Sequence, residues 1–456
     1  MSLVTSQAAF SEPTSERAPV DARRGHSNSA LLRRPLCWAV SVTLGTLLVT
    51  HTTWAENVIS EAISGGKPLL RMHGRVELVD DEANTLDDAT AFTLRTYFGY
   101  QTGSVGGFSV RLAAENVLHL VDDFNVPGES SNGFDVVADP EGTEIEEAFV
   151  RYTGIEDTTV TIGRQYVTYR PAPLHRFIGT VPWRQNWQSM DALTVENKSI
   201  ENLRINYAYI DNVNRIFGND NPNENLADSP MSSHLVNLQY SGLPIGSLEG
   251  FYYRLDYDRD FLPAPFTDRE TIGAKLQGKS SLAEDLSVSY LLEASHQRAI
   301  EDNPTAFDSA NQYRVELALT KALGSGPVKS VMGKVGYEVL ESDNGISFST
   351  PLATVHAFQG WADRFIGFPG AGVKDAYVVG SAKFAGDLSL VTILHDFEAD
   401  AGGIDYGEEF DLQLTKKFGK VAVSLKHASY FGSDDVDAGA TGIDKTVTWA
   451  FVNYVF

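Results

Sequence analysis

The segment that decides the fold is AFTLRTYFGYQTGSVGGFSVRLAAE, residues 91–115, in which two alternating runs flank a short glycine-rich connector. In the first run, the apolar residues Phe92 and Leu94 alternate with Arg95 and Tyr97. Polar and apolar residues that alternate at a spacing of two exclude a helix, because one helix face returns only after three or four residues. A charge on the lipid side of a membrane strand costs several kcal/mol, so such a strand needs one apolar face and one wet face.

The same alternation recurs along the rest of the chain. From Leu69 onward the sequence divides into about eighteen segments of roughly ten residues, the length of a tilted membrane strand. The connectors alternate between short ones, such as residues 154–157 and 384–387, and long ones such as residues 121–142. Turns on one side and loops on the other are typical of outer-membrane barrels. We therefore predict an all-β, transmembrane antiparallel up-and-down barrel of about 18 strands, with long extracellular loops and short periplasmic turns.

The N-terminal region predicts export. Arg33 and Arg34 precede an apolar stretch at residues 39–49, and Thr-Trp-Ala ending at Ala55 forms a small-x-small cleavage site. A transmembrane anchor is the competing interpretation, but the apolar stretch is too short to span a membrane. We expect a signal peptide that is cleaved after Ala55, and hence localisation in the outer membrane of a Gram-negative cell.

Composition narrows the classes of function. The 456 residues carry a net charge of -24, which argues against nucleic acid as a partner, and a mean hydropathy of -0.17, which argues against a helical membrane protein. The only cysteine, Cys37, precedes the apolar stretch, so the exported part can have neither disulfides nor cysteine-based sites. Residues 1–55 are assigned to an N-terminal extension with the signal peptide, and residues 56–456 to the barrel.

The chain ends DKTVTWAFVNYVF, residues 444–456, an alternating strand that carries Tyr454 and Phe456. This terminal aromatic pair is predicted to be the sorting signal that the barrel-assembly machinery reads. With both barrel ends in the periplasm, the strand number must be even. A barrel of about 16–18 strands encloses an aqueous lumen, so the geometry predicts a channel.

Two long loops, at residues 163–192 and 348–377, are unusually rich in aromatic and apolar groups. Exposed loops could not bury these groups, so we predict that both loops fold inward and narrow the pore. The candidate constriction residues are Arg176, Trp183, Arg184, Gln185, Trp361, Asp363 and Arg364.

The loop motifs also carry a family resemblance. The first loop contains G-R-Q, R-F-x-G and W-R-Q-N-x-Q-x-x-D-A, and the second contains T-P-L-A-T-x-H-x-F-x-G-W-A-D. With the opening L-R-x-x-G-R-V-E-x-V-D-D, they resemble the alginate-export family of outer-membrane porins over most of the exported chain. The resemblance implies a monomeric barrel of about eighteen strands. It also implies passive passage of an anionic uronate polymer through an arginine-lined constriction.

Basic and acidic residues share the predicted water face of the strands. The candidate pore-lining residues are Arg71, Arg75, Arg95, Arg111, Arg151, Arg204, Arg254 and Arg314, accompanied by Lys275, Lys334 and Lys426. The acidic residues on this face are Glu77, Glu115, Glu147, Asp256, Glu293, Glu316 and Asp411. Two interpretations stay open: a ladder of salt bridges that stiffens the barrel, or a positive track whose arginines grip carboxylates.

The predicted function is therefore a diffusion channel for anionic saccharides or small anionic solutes, with no enzymatic activity. The alternative is a structural or adhesive barrel whose lumen the two loops plug. A hydrolase would need a nucleophile beside His175 or His356, and none can be read. The loop at residues 218–228 is rich in oxygen ligands but lacks the spacing of a calcium loop. No metal or cofactor is implied, and the expected surroundings are outer-membrane lipid and lipopolysaccharide.

Overall fold

The computed structural model describes residues 52–258, 267–300 and 308–456. Its first element is helix α1, Thr52–Ser64. The arginine pair and apolar stretch of the predicted signal peptide lie outside the described residues, so the signal peptide and its cleavage after Ala55 remain predictions. Within the described ranges, no helix is both long and apolar enough to cross a membrane.

Eighteen antiparallel strands form one closed sheet. They are β1 (Lys67–Asp81), β2 (Ala89–Gln101), β3 (Phe108–Asp123), β4 (Gly142–Ile155), β5 (Thr158–Gln165), β6 (Ser189–Ile200), β7 (Leu203–Asn214), β8 (Asp228–Leu243), β9 (Gly246–Leu255), β10 (Arg269–Ser281), β11 (Leu286–Ala299), β12 (Ser309–Ala322), β13 (Val328–Leu340), β16 (Val373–Phe384), β17 (Leu388–Glu398), β18 (Asp405–Phe418), β19 (Val421–Gly432) and β20 (Lys445–Val455). The remaining elements are the hairpin of β14 (Ser342–Asp343) and β15 (Ile346–Ser347), helix α2 (Glu224–Ala227) and a 3-10 helix at Val436–Gly442. Because β20 pairs with both β19 and β1, the sheet has no open edge. The predicted fold class is confirmed.

The connections alternate in length as predicted. Glu156 and Asp157 alone join β4 to β5, and the positive φ of 52° at Asp157 makes this tight turn possible. Three connections at the opposite end are long enough to fold over or into the barrel. They are L3 (residues 124–141), L5 (residues 166–188) and L13 (residues 341–372).

The strands separate an apolar outer face from a polar inner face. On β2, Phe92 and Phe98 are 38 % and 47 % exposed on the outside, whereas Arg95 and Tyr97 are buried in the lumen. On β3, Leu112 is likewise exposed, and Glu115 is buried. The face assignments made for these two strands are therefore correct.

Strand β9 reverses the predicted assignment. Phe251 and Tyr253 point inward and are buried, whereas Arg254 and Asp256 point outward and pair with each other at 3.1 Å. The reason is that L5 brings Phe177 to within 4.7 Å of the Phe251 ring centroid, so an apolar face here belongs inside. The prediction that Arg254 and Asp256 face the lumen is therefore wrong, and Arg254 does not line the pore. Alternation identifies two faces of a strand but does not say which is wet.

The C-terminal strand completes the barrel. The Phe456 backbone N–H donates to the Leu70 carbonyl oxygen at 3.1 Å, and the Phe456 side chain is 63 % exposed. Tyr454 pairs with Met72 in the register between β20 and β1. The proposed reading of Tyr454 and Phe456 by the assembly machinery remains a prediction.

Candidate pore constriction

Loops L5 and L13 lie inside the barrel and are bonded to each other. The Gly179 N–H and the Gln188 side-chain amide both donate to the Leu352 carbonyl oxygen, at 2.9 and 3.2 Å. Above this bridge the Trp183 ring stacks on the His356 imidazole, with centroids 3.5 Å apart. The two loops therefore form one unit across the lumen instead of two independent flaps.

Two apolar clusters hold this unit against the wall. Phe177 of L5 and Phe348 and Leu352 of L13 pack with inward residues of β6 to β13. Trp361 and Phe365 of L13 pack in a second cluster, together with inward residues of β16 to β20. Burial of one such side chain contributes about 1.5–3 kcal/mol. The aromatic content of the loops is thus accounted for by docking in the lumen.

Arg184 is bound at the centre of a charged network. Its guanidinium donates to Asp139 of L3 and to Glu77 of β1, both at 3.1 Å. Arg75 also pairs with Asp139, whose oxygen accepts in addition from the Gln185 backbone N–H at 2.9 Å. Burial alone would raise the pKa of Asp139, but Arg184 and Arg75 overcome that effect and lower it to about 2. L3, L5 and the wall are joined through this one carboxylate.

The other two loop arginines are also paired. Arg176 is fully buried and lies 2.9 Å from Glu338 of β13. Arg364 lies 2.9 Å from Asp81 and donates to the Asp444 carbonyl oxygen at the same distance. The three arginines predicted at the narrowest point therefore fix the loops to the wall and are not free to meet a solute.

The L13 tip is anchored by hydrogen bonds. His356 Nδ1 lies 2.9 Å from Asp363 Oδ1, and the Ala362 N–H donates to Glu409 at 2.9 Å. Burial lowers the pKa of His356 to about 3 despite the opposing charge of Asp363. At neutral pH the imidazole is therefore uncharged, and its second nitrogen faces Nζ of Lys426.

Beside the loop unit lies a cavity of about 450 Å³ that combines cations with aromatic rings. Its lining includes Arg71, His73, Arg75, Arg95, Trp183, Trp187, His356, Trp361, Lys426 and Trp449. Arg71 lies 4.2 Å from the centroid of the Tyr97 ring, and Lys426 lies 4.1 Å from that of Trp361 and 4.9 Å from that of Trp449. Among the described residues, neither Arg71 nor Lys426 has a carboxylate at ion-pair distance.

Most remaining lumenal charges form the predicted ladder. The pairs are Arg95–Glu115, Arg111–Glu147, Arg170–Glu249, Arg170–Glu293, Arg204–Glu196, Lys275–Glu249, Arg314–Glu316 and Lys334–Glu316. Arg151 faces the lumen, donates to Thr161 at 3.4 Å and has no ion pair with a described carboxylate. The salt-bridge interpretation therefore holds for most of the wall, and Arg71, Arg151 and Lys426 are the exceptions within the predicted set.

Three residues of the cavity and the loop anchors were not among the candidate site residues predicted from the sequence. Trp187 and Trp449 line the cavity, and Arg170 joins L5 to β9 and β11. Alternation does place Trp449 on the lumenal face of β20, but only the fold brings it beside Trp183, with ring centroids 5.2 Å apart.

In the loop at residues 218–228, the amide of Asn221 donates to backbone carbonyls, and no group of three or more metal-ligating side chains occurs in the described residues.

Comparison with solved structures identifies similar barrels. OpdK of Pseudomonas aeruginosa, solved with vanillate, has a TM-score of 0.63 at 12 % identity over 87 % of this chain and 99 % of its own. OccAB2 of Acinetobacter baumannii has a TM-score of 0.64 at 15 % identity, with the same shares covered. P. aeruginosa OpdL has a TM-score of 0.60 at 17 % identity, over 86 % of this chain and 99 % of its own. The fold is that of an outer-membrane barrel. No protein-family model and no curated protein matches the chain, so the alginate-export resemblance has no support from these comparisons.

Proposed function

We propose that this protein is an outer-membrane channel for passive diffusion of small anionic solutes, and not an enzyme. The observation that carries the proposal is the cavity beside L5 and L13, where no carboxylate of the described residues lies at ion-pair distance from Arg71 or Lys426. The proposal includes export through the signal peptide, insertion by the barrel-assembly machinery, and a monomer surrounded by lipid and lipopolysaccharide.

The chemistry of the cavity suits a carboxylate attached to a ring. Lys426 is buried and Arg71 is half-buried. Burial of a cation without a paired anion is costly, so an entering carboxylate would supply an ion pair that no described residue gives to either side chain. The arginine guanidinium binds a carboxylate through two parallel hydrogen bonds. The indoles of Trp183, Trp187 and Trp449 offer flat apolar surfaces to the rest of the solute.

Within the class of small anionic solutes, we propose uronates and other anionic saccharides as the substrates, on the basis of the alginate-export resemblance. A sugar ring with one carboxylate fits both the cations and the indoles. The cavity of about 450 Å³ is of the size that binds one small molecule. Passage of a polymer would require L5 and L13 to move out of the lumen, so single anionic sugars or small organic acids are the better proposal for the conformation described.

A loop-plugged structural or adhesive barrel is the second candidate. It is favoured by the bonds between L5 and L13 and by the ion pairs of Arg176, Arg184 and Arg364. Current through single molecules in a planar bilayer distinguishes the two candidates, because a plugged barrel is silent.

We expect an open current with anion preference, measured as a reversal potential in a salt gradient. Exchanging Arg71→Gln together with Lys426→Gln should lower the anion-to-cation permeability ratio several-fold, since unit charges at about 4 Å interact by roughly 1–4 kcal/mol. Arg254→Gln together with Arg298→Gln is the matched control, because both arginines lie on the outer face. A silent barrel, or cation preference in the unchanged protein, would contradict the proposal.

A further inference from the structure

The part of the lumen between L5 and the short turns forms a vestibule. Two cavities of about 410 and 670 Å³ adjoin there and share Arg170, Pro171, Lys275 and Gln277 as lining residues. Tyr169 of L5 lines the smaller cavity, and Leu174 of L5 lines the larger one. In the proposed topology the short turns are periplasmic, so the vestibule opens towards the periplasm.

Lysines also face inward at the turn end of the lumen. Lys279 lines the larger cavity, whereas Lys383 and Lys417 lie at the same end on the two strands that flank β17, outside the lining of both cavities. Lys279 of β10, Lys383 of β16 and Lys417 of β18 are exposed, and none has an ion pair with a described carboxylate. Their direction follows from the register, in which Lys383 lies opposite Ser330 and Ser389 on the inner face. Lys417 lies opposite Ala422, whose neighbour in the inward row is the buried Ser424.

The deeper wall of the vestibule adds further positive charge. Arg170 and Lys275 share Glu249, and Arg314 and Lys334 share Glu316. Glu293 is the second carboxylate on Arg170. Because these four cations meet only three carboxylates, this part of the wall does not neutralise the lysines at the turn end.

The long loops at the opposite end of the barrel carry negative charge. The segments DDEANTLDD (residues 80–88) and GSDDVDAG (residues 432–439) contain acidic residues and no basic ones. The chain as a whole has a net charge of -24. Inward lysines without an ion pair to a described carboxylate are therefore a local departure from the charge of the molecule, and the field of each acts within a Debye length of about 8–10 Å.

We propose that the vestibule is a binding site for polyanions that opens to the periplasm, so that the two ends of the channel differ in their affinity for multivalent anions. The proposal rests on the proposed channel for its orientation and goes beyond it in naming a second site and its ligand class. A groove lined with one sign of charge concentrates counter-ions and speeds their entry. An anion with several charges gains most, because the attraction to a field of one sign grows with the charge of the anion.

Inorganic tripolyphosphate is the probe, added to one side of a bilayer that contains oriented single channels. Block of the current should require a concentration about tenfold lower on the turn side than on the loop side, the lower end of the enrichment that charged clefts produce. Lys383→Glu together with Lys417→Glu should remove most of this difference. Lys321→Glu together with Lys416→Glu is the matched control, since it makes the same charge change at the same end but on the outer face, where Lys416 lies opposite the exposed Val423.

Equal block from both sides, or equal effects of the two double variants, would overturn the inference. Calorimetric binding of tripolyphosphate to the detergent-solubilised barrel separates this inference from the proposed function. A silent barrel that binds tripolyphosphate through Lys383 and Lys417 would refute the channel and support the vestibule. An anion-selective channel with side-independent block would refute only the vestibule.

Discussion

At the residue scale, Asp139 connects three parts of the constriction, which are L3, L5 and strand β1. This fully buried carboxylate of L3 receives Arg184 from L5, Arg75 from β1 and the Gln185 backbone N–H. A buried carboxylate between two guanidinium groups is stable only as a set, because each member that is removed leaves an unpaired charge. The position of L5 therefore depends on one side chain from a different loop.

Asp139→Asn should destabilise the barrel by about 3–5 kcal/mol, the cost of breaking a buried ion pair. The measurement is the free energy of unfolding in denaturant. Asp396→Asn is the matched control, because Asp396 is exposed on the outer face and has no ion pair with a described residue. A loss within about 0.5 kcal/mol for Asp139→Asn, the range of surface substitutions, would show that the network is unimportant.

The pH dependence of the free energy of unfolding is a second, independent test of the ion pairs of Asp139. The folded-state pKa of Asp139, about 2, is below the value of about 3.9 for an unfolded chain, so its stabilising contribution is present above the unfolded value. That contribution is lost as pH falls from about 4 towards 2. The unchanged protein should therefore lose more stability over this interval than Asp139→Asn does, and identical pH profiles would contradict the assignment.

At the element scale, the lumen is shaped by loops more than by strands. L5 and L13 share the hydrogen bonds at Leu352 and the stack of Trp183 on His356, and apolar clusters fix both to the wall. The same docking explains β9, whose apolar face turns inward to meet Phe177. The loops thus decide both the width of the pore and the orientation of the strand against which they pack.

Deletion of residues 355–365 should raise single-channel conductance several-fold and weaken the preference for anions. The deletion removes His356, Trp361 and the Asp363 contact, and with them one side of the aromatic and cationic cavity. Deletion of residues 436–442 is the control, because this 3-10 segment belongs to another loop and includes Val436, which is 91 % exposed. An unchanged conductance after the first deletion would show that L13 does not limit the current.

At the scale of the whole molecule, closure depends on the last strand. β20 pairs with β19 and β1, so the final residues complete a sheet that otherwise has two open edges. Phe456 also bonds through its backbone to Leu70.

Tyr454→Asp together with Phe456→Asp should abolish insertion into the outer membrane while leaving signal cleavage intact. The reason is that the terminal aromatic pair is the predicted sorting signal and the final strand closes the barrel. Phe418→Asp is the control, because Phe418 is an aromatic residue of similar exposure, 59 %, at the turn end of β18. The yield of folded, heat-modifiable barrel in outer-membrane fractions is the readout, and a normal yield of the double variant would refute the sorting role.

The sequence by itself determined the barrel, the alternation of short turns with long loops, and the position of L5 and L13 inside the lumen. Local chemistry sets these features, because a charged strand face must be wet and an aromatic loop must find apolar surface. It did not determine the inward face of β9, because Phe251 and Tyr253 are apolar on either side until L5 is present.

Only the tertiary structure decided which cations are free. Arg184 and Lys426 are both basic residues that lie over aromatic rings. Arg184 pairs with Asp139 and Glu77, whereas Lys426 contacts rings and an uncharged imidazole and has no described carboxylate at ion-pair distance. An ion pair requires a partner within about 4 Å, and Asp139 and Arg184 reach that distance across 45 positions of the chain. Periodicity says which way a side chain points, but only the closed barrel with its loops in place determines what it meets.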